Sequence, residues 1–289
     1  MAGDGLTIAD RKQEVSSLND APIGIFDSGL GGLTVMKAVM RRLPRESIIY
    51  FGDSARGPYG PREIAEIRGF AVEIARFLED MGVKIVVVAC NSATSAGLLE
   101  AQRVCRVPVL GVVEPGARGA VQATLNRRIA VVGTRATVRS RSYPRAIRLL
   151  DAGARVFSRA CPTLVDFVER GEIEGARVEA EVRRYLAPLL GQGVDTIVLG
   201  CTHYPLLHGV IAGVAGEGIR LISSDEEVAR EVEENLVRRG FLRDHGEPPA
   251  RRFLFTGDVD KAKELGRVFL GPEVVEVEKV VLPLRGVRG

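Results

Sequence analysis

Short aliphatic runs alternate along this chain with longer stretches whose apolar residues recur every three or four positions. Ile23-Gly-Ile-Phe26 is the first run, followed by a glycine-rich turn and a helix reaching about Arg42. Ser47-Ile-Ile-Tyr-Phe51 is the next. From Pro61 to Met81, Ile64, Ile67, Ala71, Ile74 and Leu78 share one helical face, and Gly82 is suited to cap the end. Ile85–Ala89 and Val107–Val113 complete a first set of strands. Continuous apolar strands between helical segments predict βαβ units and a parallel sheet buried on both faces.

The pattern then begins again. Ile129-Ala-Val-Val-Gly-Thr134 resembles Ile23-Gly-Ile-Phe-Asp-Ser28, and Ala154–Phe157, leading to Ala160-Cys-Pro162, takes the place of Ile48–Phe51. Thr196–Leu199 takes the place of Ile85–Ala89, and Gly218–Ile222 closes the set. The expected fold is α/β, with two pseudo-symmetric lobes, each a mostly parallel sheet flanked by helices, and an active site in the cleft between them. Residues 118–225 form the second lobe. Residues 21–117 form the first, completed by 226–289, because the helix starting at Ser224-Asp-Glu-Glu227 and the Arg252–Thr256 strand have no counterpart in the second. Ser224 or Asp225 is the expected cap of that helix. Residues 1–20 are polar and read as an extension, without the basic-then-apolar pattern of a secretory signal.

Composition narrows the function. With 40 Lys+Arg against 37 Asp+Glu, the formal charge is only +3, which argues against nucleic-acid or membrane-surface partners. No apolar stretch approaches the ~20 residues that span a bilayer. Four scattered cysteines, Cys90, Cys105, Cys161 and Cys201, form no CxxC pair, which points to free thiols in a reducing cytoplasm.

Two of those thiols carry the chemistry. Cys90 ends Lys84-Ile-Val-Val-Val-Ala and precedes Asn91-Ser92-Ala-Thr94; Cys201 ends Asp195-Thr-Ile-Val-Leu-Gly and precedes Thr202-His203. Ligands of open α/β sheets bind beyond the carboxyl ends of the strands, so both thiols should meet one bound molecule. One thiolate and one thiol on opposite faces of a stereocentre can remove an α-proton and return one to the far face. Hydroxyls of Ser28, Ser54, Ser92, Thr94 and Thr202, with backbone N–H groups at strand-to-helix turns, suit a carboxylate substrate. Asp27 and His203 are the expected partners of the thiols. The Gly29-Leu-Gly-Gly32 loop lacks the lysine of a P-loop and the spacing of a dinucleotide site.

These motifs resemble the glutamate racemase family. Ile25-Phe-Asp-Ser-Gly-Leu-Gly-Gly-Leu-Thr-Val35, Tyr50–Gly60, Ala89-Cys-Asn-Ser-Ala-Thr94, Gly111–Gly116, Ala160-Cys-Pro162 and Gly200-Cys-Thr-His-Tyr-Pro205 follow the family's order from about residue 21 onward. The resemblance implies cofactor-independent interconversion of L- and D-glutamate for cell-wall synthesis, with no metal. It implies Cys201 as the base toward L-glutamate and Cys90 as the base toward D-glutamate, assisted by Asp27, His203 and Glu169. Glutamate would be held by Asp27, Ser28, Asp53, Ser54, Pro58, Tyr59, Gly60, Asn91, Ser92, Thr94, Thr137, Thr202 and His203. Ser54 and Ser92 stand where threonine is commoner in the family. Dimers are common there, with differing interfaces, so a homodimer is one open state.

Plainer readings stand beside these. Cys105 suits core filler, and Cys161 either core filler or a wall behind the site. Asp53 could instead cap its own turn. Glu114 could be a junction residue, and His208 and His245 surface residues. A Cys90/Cys201/His203 metal site lacks a second Cys/His pair. The competing functions are a sister racemase or isomerase acting on aspartate, hydantoins or maleate, and a two-lobed binding protein for an anionic amino acid.

Overall fold

The computed structural model describes residues 19–243, 247–274 and 276–282, so most of the expected N-terminal extension and His245 lie outside the described residues. In chain order the elements are β1 (Ile23–Asp27), α1 (Leu33–Arg42), β2 (Ile48–Gly52), α2 (Ile64–Asp80), β3 (Ile85–Val88), α3 (Asn91–Val104), β4 (Val109–Gly111) and α4 (Val113–Ala123). There follow β5 (Arg128–Gly133), α5 (Arg135–Ser140), α6 (Ser142–Leu150), β6 (Arg155–Ala160), α7 (Thr163–Glu169), α8 (Ala176–Leu190) and β7 (Thr196–Gly200). After a 3₁₀ turn over Tyr204–Leu207 come α9 (His208–Ala215), β8 (Arg220–Ile222), α10 (Asp225–Arg239), β9 (Arg251–Phe255), α11 (Val259–Leu270) and β10 (Glu278–Lys279).

The strands form two sheets, with orders β10-β9-β2-β1-β3-β4 and β6-β5-β7-β8. Every strand pair in both sheets is parallel. The order β2-β1-β3-β4 within the first sheet is repeated as β6-β5-β7-β8, so the two sheets share one topology. In the first sheet β9 adds beside β2, and α10 lies against α1. The central strands β1, β2, β3 and β7 are buried throughout, as expected of parallel strands covered on both faces. On α2, the buried stripe Ile67, Ala71, Ile74, Ala75 and Leu78 packs toward the sheet. Each fully buried large aliphatic side chain there contributes about 1.5–3 kcal/mol. Gly82, with φ +78°, turns the chain out of the helix in a backbone conformation that favours glycine.

Two of the expected boundaries change, and one expected cap takes another form. The fourth strand is confined to Val109–Gly111, because Pro108 offers no N–H and Val113 already begins a helix. Pro115 sits in the first turn of α4, where its missing N–H costs nothing, and Glu114 lies exposed beside it. The second helix begins at Ile64 and not Pro61, since Glu63 is extended at φ −71°, ψ 145°. Ser224 takes the N-cap position of α10 without a side-chain cap bond, and Asp225 Oδ1 accepts from the Glu226 N–H instead. Acids fill that first turn and arginines the last, which complements the helix dipole.

Candidate active site

Strand register brings the two cysteines to matching places. In the first sheet Phe26 pairs with Val88, so the chain leaves the sheet through Asp27-Ser28 beside Ala89-Cys90. In the second, Gly133 pairs with Gly200, so Thr134 leaves beside Cys201. Both cysteines are buried, at 5% exposure, and both line one cavity of about 220 Å³. Ser28, Pro58, Tyr59, Gly60, Asn91, Ser92, Thr202 and His203 line it as well. Cys90 takes the N-cap position of α3 without a side-chain cap bond, and Asn91 and Ser92 of the first turn line the cavity, at a helix end that suits an anion.

The surroundings of the two thiols differ. Burial pushes the Cys90 thiol well above its usual range, and the nearby Asp27 carboxylate pushes it further. The Ala93 N–H and Ser28 donate toward the sulfur and offset part of that shift. Asp27 is itself fully buried, and desolvation raises its pKa against the opposing pull of His203. Its Oδ2 accepts from the Gly29 N–H at 3.0 Å and its Oδ1 from Thr202 Oγ1 at 3.4 Å.

Cys201 faces an imidazole. Its Sγ lies 3.9 Å from His203 Nδ1. The far nitrogen, Nε2, is 3.4 Å from Glu169 Oε1, an ion-pair distance without hydrogen-bond alignment. Burial opposes a charge on this imidazole, but Cys201, Glu169 and Asp27 outweigh it and bring its pKa up to about 10. Glu169 is held below its usual range, chiefly by His203.

The glycine-rich loop after β1 has a steric role. A Cβ on Gly31 would lie 2.2 Å from Thr202 Oγ1 and 2.7 Å from His203 Nδ1, and one on Gly32 would lie 2.6 Å from Asp27 Cβ. The absent side chains let the loop press against the Thr202-His203 segment that follows the other sheet.

Several expected contact residues stand behind the wall. Asp53 is fully buried and accepts from Tyr59 Oη, from Arg56 Nε at 2.6 Å and from Thr256 Oγ1 at 2.8 Å. It holds the Tyr59 turn while lying outside the cavity lining. Ser54 Oγ accepts from the Gly257 N–H, and Thr94 Oγ1 donates to the Val88 carbonyl. Thr137 bonds Thr134, whose side chain caps α5. Cys161 is core, fully buried with its Sγ 3.6 Å from the Arg159 carbonyl. His208 is exposed.

Thr134, Arg135, Pro162, Val165 and Asp166 line the cavity too; of these only Pro162 belongs to a motif that carries the family resemblance, and none is among the expected contact residues. Thr134 Oγ1 meets Ser92 Oγ at 2.8 Å, which ties the segments leaving the two sheets. The repeat carried a signal for Thr134, since it occupies the place of Ser28. The sequence carried none for Arg135, Val165 and Asp166, because the facing of the short helices α5 and α7 is set by tertiary packing.

Comparison with known proteins decides the family. A profile of the Asp/Glu/Hydantoin racemases matches residues 23–232. The chain belongs to the Asp/Glu/Hydantoin racemase family. A glutamate racemase from Parafrankia sp. is 50% identical over 261 residues, spanning 90% of this chain and 94% of its own. One from Mycobacterium tuberculosis is 49% identical over 264 residues, spanning 90% and 96%. Among solved structures, a glutamate racemase isoform of Bacillus anthracis superposes with TM-score 0.86 at 41% identity over 92% of this chain and 98% of its own. The Francisella tularensis enzyme, solved in complex with D-glutamate, gives 0.86 at 34% over 91% and 98%. An aspartate racemase homologue from Pyrococcus horikoshii, at 17% identity and TM-score 0.52, shares the fold. No described helix is long and apolar enough to cross a membrane.

Proposed function

We propose that this racemase interconverts L- and D-glutamate through two thiols, without a cofactor, and supplies D-glutamate for peptidoglycan precursors in the cytoplasm. The observation that carries the reading is the pair of cysteines ending equivalent strands of two like sheets and lining one cavity. The two lobes, 21–117 with 226–289 and 118–225, close on the substrate, whose carboxylates take donors from Ser28, Asn91, Ser92, Thr202 and the α3 N-terminus.

In the L-to-D direction the Cys201 sulfur takes the α-proton, with His203 beside it and Glu169 steadying the imidazole. A planar carbanion remains, its charge spread into the carboxylate. The Cys90 S–H then delivers its proton to the opposite face. Burial and Asp27 keep that proton on Cys90 in the resting enzyme and drive its recovery after turnover. In the reverse direction Cys90 is the base and Cys201 the acid.

The test is polarimetry of L-glutamate with the purified protein, without pyridoxal phosphate or added metal. Rotation should decay to zero as the racemate forms. Persistent rotation with folded protein would refute the reading.

A further inference from the structure

Two charged side chains stand apart from the chemistry just described. Arg135 opens α5 and Asp166 lies on α7; both line the cavity, and both are exposed where the interior groups are buried. Neither makes an ion pair among the described residues. They are therefore opposite charges on the exposed part of the lining, at the mouth of a cavity proposed to admit a molecule of net charge −1. Low-dielectric walls strengthen the field of charges that line a cleft, so the two side chains act on an entering anion with opposite signs.

We propose that Arg135 and Asp166 form a charge gate at the mouth, in which Arg135 draws the anionic dicarboxylate inward and Asp166 opposes it. The gate rests on the glutamate reading and adds to it the residues that set capture. It acts on encounter and not on proton transfer, so its signature is in kcat/KM and in salt dependence. Glutamate enters with the same charge in either configuration, so both directions must respond equally.

The experiment measures kcat and KM for L- and D-glutamate by circular dichroism at about 20 mM and about 300 mM ionic strength, which spans strong and weak screening. Arg135→Gln should lower kcat/KM about 3- to 10-fold at low salt, with kcat within about 2-fold, and the deficit should shrink at high salt. Asp166→Asn should change kcat/KM in the opposite sense, about 2- to 3-fold. Arg183→Gln, an exposed α8 residue paired with Glu179, should leave both the rate and the salt slope unchanged. An Arg135→Gln enzyme with the parent kcat/KM and salt slope, or with its loss confined to kcat, overturns the gate. Absence of turnover in the parent protein overturns the racemase reading, and the gate for glutamate with it.

Discussion

The environments of Cys90 and Cys201 diverge although the strands that deliver them have the same order and direction. Where the first sheet carries Asp27 before the exit, the second carries Gly133; where Cys201 has His203 two residues on, Cys90 has Ser92. The first thiol thus has a buried acid for a neighbour and the second an imidazole. The acid disfavours the loss of the Cys90 proton, while the imidazole, at 3.9 Å, offers Cys201 a hydrogen-bond partner. Duplication accounts for there being two proton carriers. Divergence of single positions beside each gives them different neighbours.

The largest expected effect would erase the comparison. Cys90→Ala and Cys201→Ala should each lower racemisation by at least about 10³-fold, the upper part of the range for a positioned acid or base. Unchanged turnover in either variant would remove that thiol from the reaction.

His203→Gln should strike the second side alone, with about 10²-fold lower kcat. It has a separate reading in stability. An imidazole whose pKa rises from 6.5 to about 10 binds its proton more tightly in the folded chain. Its stabilisation is complete below about pH 6.5 and is lost as pH climbs toward 10. Denaturant titrations should therefore show the parent protein weakening across that window more than His203→Gln. Parallel curves would contradict the charged imidazole.

Asp27→Asn tests the first side. Removing the carboxylate should lower the Cys90 pKa and speed its alkylation at pH 8 by about 3-fold or more, read by peptide mass spectrometry. An unaltered rate would mean that burial alone holds the proton. A smaller effect concerns the contact between the sides. Gly31→Ala should cost about 1–3 kcal/mol, because its methyl would overlap Thr202 and His203. Gly29→Ala, with nothing within 4 Å, should be near neutral. Equal melting temperatures for the two variants would place the close approach elsewhere.

The parallel sheets were legible because aliphatic runs and helical spacing alternate with little ambiguity, and the repeat announced itself in the paired strand-to-cysteine segments. The ends of elements were less so. Val113 reads as strand from its neighbours, yet Pro115 beyond it suits a helix start. The candidate site was legible wherever a residue adjoins a strand end, as Asp27, Ser28, Cys90, Asn91, Cys201 and His203 do. Asp53 and Thr94 have the right chemistry in the right loops, but their side chains turn toward Tyr59 and Val88. Arg135 and Asp166 could not be read, since a charge on a short helix looks like a solvated face until the opposite wall is in place.

The most direct test of two unlike proton carriers is the isotope pattern at low conversion of L-glutamate in D₂O. The two-thiol route predicts that newly formed D-glutamate carries one deuterium at Cα while the remaining L-glutamate keeps its hydrogen. D-glutamate retaining the original hydrogen, or deuterium entering both enantiomers equally from the start, would show a single carrier serving both faces and would contradict it.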